Sequence, residues 1–350
     1  MTKDKDSSEK DSSNTKNTQE ELTPKEKALF DTLDNINKMY GAGTVISVGD
    51  KPLPGVRTIS TGSFSLDHAL GGGVPRGRII EIFGPEGSGK TSIALHVIAN
   101  AQKEGGVAAF IDAENALDPA YAKRLGVSFS RKQLVFSQPN SGEQALNIVE
   151  KLLTSRAVDV IVVDSVAALV PESELAGEVG DQKVGAVSRL MSQGLRRLTI
   201  SLKNSPTVLI FINQLREKIG VMYGNPEVTP GGKSLKFYSS VRIDVRKKKN
   251  IEVNDKFVGH SIHTKVVKNK IAAPFAEADF DMYFDSGIDY VGSLLSVAEQ
   301  AKVVTRKAAY YYYGDITLGN GKEQASRYLR ENLEVLEKIK HQILNVDYNE

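Results

Sequence analysis

Cysteine is missing altogether from the 350 residues, which excludes disulfides, thiolate zinc sites and a cysteine nucleophile. No apolar run is long enough to cross a bilayer, and the first residues hold no signal-peptide core. The expectation is a cytoplasmic protein with no membrane partner. An excess of one charge is also lacking: 45 Lys and Arg stand against 43 Asp and Glu, a net +2. Affinity for nucleic acid would therefore have to come from local basic patches. What is present is a globular composition, 40% apolar, over a length that suggests two or three domains.

The most informative stretch is Gly84, Pro85, Glu86, Gly87, Ser88, Gly89, Lys90 and Thr91, which fits G-x-x-x-x-G-K-[ST]. Before it, Ile79, Ile80, Ile82 and Phe83 read as a buried strand. After it, Ser92, Ile93, Leu95, Val97 and Ile98 are spaced as on a helix. Glycines there let backbone N–H groups point inward at phosphate oxygens, and the helix adds its positive end. Lys90 supplies a charge for the β- and γ-phosphates of a nucleotide, and Thr91 a hydroxyl for Mg²⁺. An ordinary Gly-rich strand–helix turn would need neither the full pattern nor both flanks.

Residues 1–24 have almost nothing to bury and are expected to form a disordered tail. In the segment 25–56, Ala28, Leu29, Leu33, Ile36, Met39 and Tyr40 share one face of a helix opened by Pro24 and stopped by Gly41 and Gly43. A short strand over 44–48 follows. The pair must pack on its own core or on a neighbouring subunit. Residues 57–288 form the main domain. Apolar runs at 79–83, 107–112, 134–137, 158–164 and 208–213 alternate with helical patterns, which predicts a parallel sheet covered on both faces. Such sheets bind ligands at the carboxyl ends of their strands. Residues 289–350 read as a small α+β domain. It has a helix through Val291, Leu294 and Leu295, a hairpin of Tyr310 to Tyr313 with Ile316 to Leu318, and one closing helix over about 322–344. The tyrosines read as strand packing, not as a base-stacking platform.

Several polar residues fall at those strand ends. Glu114, just past Asp112, stands where a carboxylate can orient or deprotonate an attacking water, though a solvated loop glutamate fits equally well. Asp164 ends an apolar strand, the Walker B pattern, and would hold Mg²⁺. Asn213 and Gln214 end another and could sense a γ-phosphate. They open into a long glycine-rich segment over 215–233 with basic and apolar residues, suited to phosphates and to wedging between bases. A smaller version spans 174–183, before a helix carrying Arg189, Arg196 and Arg197. Arg189 and Arg196 share a face, either a solvated one or one side of a phosphate-tracking groove. Lys268 and Lys270 interrupt an apolar strand at period two. They are edge charges, or they reach a phosphate across a subunit boundary.

Together, residues 84–91, 110–119, 158–169, 211–214, 218–226, 236–241 and 265–275 resemble the bacterial RecA recombinases. The similarity runs from about residue 25 to the end, and the ordered set of motifs is far more specific than the P-loop alone. It implies an α/β fold: a RecA-type P-loop ATPase core with a mainly parallel sheet flanked by helices, an N-terminal helix–strand arm that docks onto the next protomer, and a small C-terminal domain. It implies an ATP- and Mg²⁺-dependent helical filament of this chain on single-stranded DNA that exchanges strands with a homologous duplex in recombinational repair. It also implies a role in triggering the SOS response, with a cleavable repressor and loading factors among possible partners. By position, Gly84 to Ser92 would cradle the nucleotide and Asp118 and Tyr121 contact the adenine. Glu114 would activate water, Thr91 and Asp164 hold the metal, and Gln214 link the γ-phosphate to the second DNA loop. Lys268 and Lys270 would complete a neighbour's site, and Arg189, Arg196, Arg216, Ile219, Gly231 and Gly232 would face DNA.

The chain departs from the resemblance at Asn115, where histidine is usual, at Lys183 and Val184 in the first loop, and at Pro230, which stiffens the second. A long acidic C-terminal tail is nearly absent, which predicts readier binding to duplex DNA. A RecA-core hexameric helicase would share the P-loop and Walker B acid, and a DNA-binding scaffold could use ATP only as an assembly ligand.

Overall fold

The structure, a computed structural model, describes residues 23–42, 44–45, 55–178, 185–217 and 227–346. It divides into two compact units, Met1–Gly55 and Val56–Glu350. The described part of the first is mainly helix α1 (Pro24–Tyr40). Thr23 caps it through a reciprocal pair: its hydroxyl accepts from the Glu26 N–H, and its own N–H donates to the Glu26 carboxylate at 2.7 Å. Pro24 takes the first turn, where its missing N–H costs nothing. At the far end the Asn37 side-chain amide bonds both backbone groups of Val45 (2.9 and 3.0 Å). No residue of α1 is buried. The tail over 1–22 and most of the strand expected over 44–48 lie outside the described residues.

The second unit begins with β1 (Thr58–Ile59), α2 (Phe64–Leu70) and β2 (Val74–Pro75), the two short strands pairing with each other. Then come β3 (Ile79–Gly84), α3 (Lys90–Lys103), β4 (Ala108–Asp112), α4 (Pro119–Arg124), β5 (Leu134–Ser137), α5 (Gly142–Ser155) and β6 (Val160–Asp164). Next are α6 (Glu172–Leu175), α7 (Ala186–Leu202), β7 (Val208–Gln214), the short β8 (Arg216–Glu217) and β9 (Glu227–Val228), and α8 (Ser234–Tyr238). A long hairpin, β10 (Val241–Val253) and β11 (Lys256–Asn269), leads to β12 (Glu277–Tyr283) and β13 (Gly287–Ile288).

Nine of these strands form one sheet in the order β13-β12-β11-β10-β3-β7-β6-β4-β5. From β10 to β5 all neighbours are parallel; β11, β12 and β13 extend the sheet antiparallel. The α/β architecture with a mainly parallel sheet is therefore the observed one. The continuous apolar runs have a simple cause. Along β6, Val160 and Val162 enter one core with α3, while Ile161 and Val163 enter another with α5 and α7.

Several expectations change. β11 as a whole is not an edge strand, since it lies between β10 and β12, but Lys268 stands near its end, paired with Arg242 of β10 and past Lys265, where the pairing with β12 stops. Nor do the two lysines alternate along one strand. Lys270 follows β11 and is exposed, within a turn in which Asn269 Oδ1 accepts the N–H groups of Ile271 and Ala272. The closing helix is two helices, α10 (Gly321–Glu331) and α11 (Leu333–Val346), after α9 (Tyr290–Gln300) and the small sheet β14 (Thr305–Lys307), β15 (Tyr310–Tyr313), β16 (Ile316–Asn320). Asn332 leaves the helical region (φ −119°, ψ 71°), and both its backbone N–H and its side-chain amide bond the Tyr328 carbonyl. The bend lets Leu329 and Leu336 enter one core with Leu294, Tyr311 and Leu318. The buried Tyr311 between exposed or half-buried tyrosines is strand alternation.

His96 of α3 ties this sheet's antiparallel end to the P-loop helix. Its Nε2 accepts the Ile288 N–H at 3.0 Å, which requires the neutral ring. Burial, with Lys103 nearby, pushes its pKa down to about 4. An imidazole depressed from its ordinary 6.5 contributes stability that is complete above pH 6.5 and is lost as pH falls from 6.5 towards 4, with a slope of at most about 1.4 kcal/mol per pH unit. Urea unfolding at pH 7 and pH 5 should show a larger loss for the parent than for His96→Gln, whose amide oxygen can still accept; equal losses would contradict this origin.

Candidate functional site

The site is built where β3, β4, β6 and β7 end. Gly84 is required there by crowding, since a Cβ would lie 2.1 Å from the Val245 carbonyl oxygen of β10. Gly87 and Gly89 turn through positive φ (67° and 93°), which curls the loop between Pro85 and Ser88 into a cradle. Ser88 Oγ inside it is buried and has no hydrogen-bond partner, a donor aimed at something other than protein. The Lys90 ammonium donates to the Pro85 carbonyl oxygen at 2.6 Å. Burial lowers its pKa from the usual lysine value, opposed by Asp164, Glu114 and Glu86.

Thr91 Oγ1 donates to Asp164 Oδ2 at 2.7 Å, joining the start of α3 to the end of β6. Burial pushes Asp164 up to about 6; the Thr91 bond works against this, and the charges of Glu114 and Asp112 add to it. A buried carboxylate without a cation is unfavourable, and Mg²⁺ relieves that. Thr91 and Asp164 offer two oxygens, and this metal takes its remaining ligands from phosphate and water. Among the described residues, no group of three His, Cys, Asp or Glu could hold a metal unaided.

Glu114 and Gln214, one hundred residues apart, meet: Gln214 Nε2 donates to Glu114 Oε1 at 2.7 Å. Ser165 Oγ donates to the same oxygen. The Glu114 backbone is held in turn by the Asp164 carbonyl, which accepts the N–H groups of Ala113 and Glu114. Asp112, the last residue of β4, lies in register with Asp164 and accepts the N–H groups of Ala116 and Leu117. It shapes the turn in which Asn115 adopts φ 56°, a conformation asparagine tolerates well.

Beside the loop is a cavity of about 340 Å³. Ser92 and Tyr121 line one side, their hydroxyls 2.8 Å apart. Asp118 does not line it; its carboxylate caps α4 through the Ala120 N–H at 2.8 Å. The opposite wall was not anticipated: His260 and Ile262 of β11, Met282 of β12 and Phe284. His260 and Met282 are cross-strand partners, and the His260 ring stands edge-on to Phe284 at 4.9 Å.

The expected DNA-facing residues lie on other elements. Arg189 and Arg196 are exposed on α7, whereas Arg197 is bound to Glu150. Arg216 is exposed on β8, which pairs with β9 to close the base of the glycine-rich segment. Arg246 grips that base, its guanidinium bonded twice to Glu227 at 2.7 Å. Ile219 and residues 179–183 are outside the described residues. Gly231 and Gly232 have φ 84° and 76°, and added Cβ atoms would meet Val166 at 2.9 Å and Ser188 at 2.8 Å. They let the segment return close past α7. Lys268 is half-buried, its ammonium on the Lys236 and Phe237 carbonyls at the end of α8 (2.7 and 3.1 Å).

Residues 27–289 match the RecA N-terminal domain model and residues 292–346 the RecA C-terminal domain model. Protein RecA of Thermus aquaticus is 58% identical over 322 residues, covering 91% of this chain and 94% of that protein. Protein RecA of Clostridium novyi (strain NT) is 55% identical over 320 residues, 91% of each chain. Matches of this extent, reaching through the C-terminal domain, do not favour the ring helicase. The chain belongs to the RecA family, the DNA-dependent ATPases that carry out recombination in DNA repair.

Proposed function

We propose that this chain binds ATP with Mg²⁺ at Gly84 to Ser92, and that Glu114 is the base for the attacking water. The observation that carries this is the convergence of Ser165 and Gln214 on Oε1 of Glu114. Two fixed donors hold the carboxylate and leave its second oxygen for water. Lys90 and the loop N–H groups bind the phosphates, and Thr91 and Asp164 hold the metal, which supplies charge neutralisation at the transferred phosphoryl group. Tyr121 takes the base, with Asp118 behind it at the head of α4. A triphosphate would draw Lys90 off the Pro85 carbonyl, since a phosphate oxygen is the stronger acceptor.

Gln214 begins the segment that grips DNA, so its bond to Glu114 joins hydrolysis to binding. Arg189, Arg196, Arg216, Ile219, Gly231 and Gly232 are the proposed DNA-facing positions. Lys268 and Lys270 serve the site of the next protomer in a helical filament. In that reading, ATP at the subunit boundary makes nucleotide binding and assembly one linked equilibrium. Strand exchange with a homologous duplex, a cytoplasmic setting, loading factors and stimulated cleavage of an SOS repressor belong to the same reading.

The test is strand exchange between a circular single strand and a linear duplex, with electron microscopy of the same mixtures. Helical filaments and joint molecules should form with ATP and Mg²⁺. Lys268→Ala should turn over ATP at least about a thousandfold more slowly, as loss of an arginine-finger-type cation does. Rings, or filaments without exchange, would contradict the reading.

A further inference from the structure

Glu81 is a charged residue inside β3 with no exposed surface, on the strand that leads into the P-loop. Its two oxygens are used separately. Oε2 accepts from Arg242 Nε of β10, whose guanidinium lies 4.5 Å over the Phe83 ring. Oε1 accepts from Asn213 Nδ2 at 3.0 Å. The same nitrogen donates to the Pro230 carbonyl at 3.2 Å, and Asn213 Oδ1 accepts the Gln214 N–H at 3.0 Å. Asn213 is itself fully buried. Both of its amide donors and its oxygen are thus engaged, which gives the group one orientation.

Asn213 lies at the exit of β7 and Pro230 on the return leg of the glycine-rich segment, just before Gly231 and Gly232. One buried amide thus holds both ends of that segment, and one buried carboxylate on the P-loop strand holds the amide. Stability alone does not account for the arrangement, because well-packed apolar residues commonly serve as well as a buried ion pair.

Building on the reading of Gln214 as the relay, we infer that Glu81 and Asn213 are positioning residues for it. They fix the Gln214 backbone and the Pro230 carbonyl relative to each other, so a shift of Gln214 on loss of the γ-phosphate moves the segment's return leg as well. Without the amide the two ends move independently, and the nucleotide state no longer sets DNA affinity.

The experiment measures binding of a labelled single-stranded oligonucleotide to the full chain, with Mg²⁺ and either a non-hydrolysable ATP analogue or ADP. The parent should bind more tightly with the analogue. Asn213→Ala should compress that ratio about tenfold, within the usual range of coupling factors. The double variant Glu81→Met with Arg242→Met removes the acceptor for Asn213 but fills the space with apolar atoms, so it should fold and compress the ratio too. Glu81→Gln, which keeps one acceptor oxygen for the two donors Arg242 and Asn213, should compress the ratio in part. A merely structural role would weaken DNA binding equally in both nucleotide states. If Asn213→Ala and the double variant keep the parent's ratio, the inference is overturned; if Asn213→Ala does not fold, the double variant decides alone. A parent whose DNA affinity ignores the nucleotide overturns the relay reading itself.

Discussion

Lys90→Ala should lower nucleotide turnover by at least about a hundredfold, the usual scale for removing one preorganised electrostatic contact. It should also abolish the rise in melting temperature that ATP with Mg²⁺ gives the parent. Lys90 is 8% exposed, and Asp164, Glu114 and Glu86 act on its charge. Without ligand it rests on the Pro85 carbonyl, so its position is already that of a group directed at the cradle. Its removal leaves these carboxylates without their nearest buried cation, which disfavours a further negative charge as large as a triphosphate. The unliganded variant should still melt cooperatively and close to the parent, because burial works against the charged lysine. Scanning fluorimetry with and without nucleotide separates the two effects, since a ligand that binds only the folded state raises its stability by mass action. A variant that keeps the parent's nucleotide-dependent shift would remove Lys90 from the phosphate site.

Some of this site was open to reading along the chain because its logic is local. The P-loop needs only a strand, a glycine turn and a helix in succession, and all three are contiguous. Glu114 and Gln214 could be placed at strand ends one at a time, and a parallel sheet brings such ends to one edge. Their direct bond could not be read, because it depends on the strand order. The far wall of the cavity was not readable for the same reason. His260, Ile262, Met282 and Phe284 converge only through the β11–β12 ladder. The β10–β11 hairpin itself was obscured by Lys247, Lys248, Lys249, Asn250 and Glu252, a polar run at its exposed end that hides the alternation of Val241, Ile243 and Val245. Glu81 stands inside the apolar run over 79–83. Its partner Arg242 is 161 residues away, and no local pattern predicts that pairing.

Glu114→Gln should reduce ATP turnover about a hundred- to ten-thousandfold, the range expected for a positioned general base, while leaving nucleotide and DNA binding intact. The geometry makes this substitution informative. Both donors to the carboxylate, Ser165 Oγ and Gln214 Nε2, land on Oε1, and the glutamine carbonyl oxygen can receive both. What is lost is the basicity of the second oxygen, which faces the water. The hydrolytic step should therefore fail with the relay still assembled. DNA bound in the presence of ATP should then be released as slowly as the parent releases it with a non-hydrolysable analogue. The measurements are phosphate release at saturating ATP and single-stranded DNA, and the dissociation rate of a labelled strand after a competitor is added. Turnover within about fivefold of the parent, far inside the range for a general base, would assign Glu114 to holding Gln214 and leave the water to be activated elsewhere. Slow turnover with rapid DNA release would instead separate the base from the relay, and the Glu114–Gln214 bond would no longer join hydrolysis to the grip on DNA.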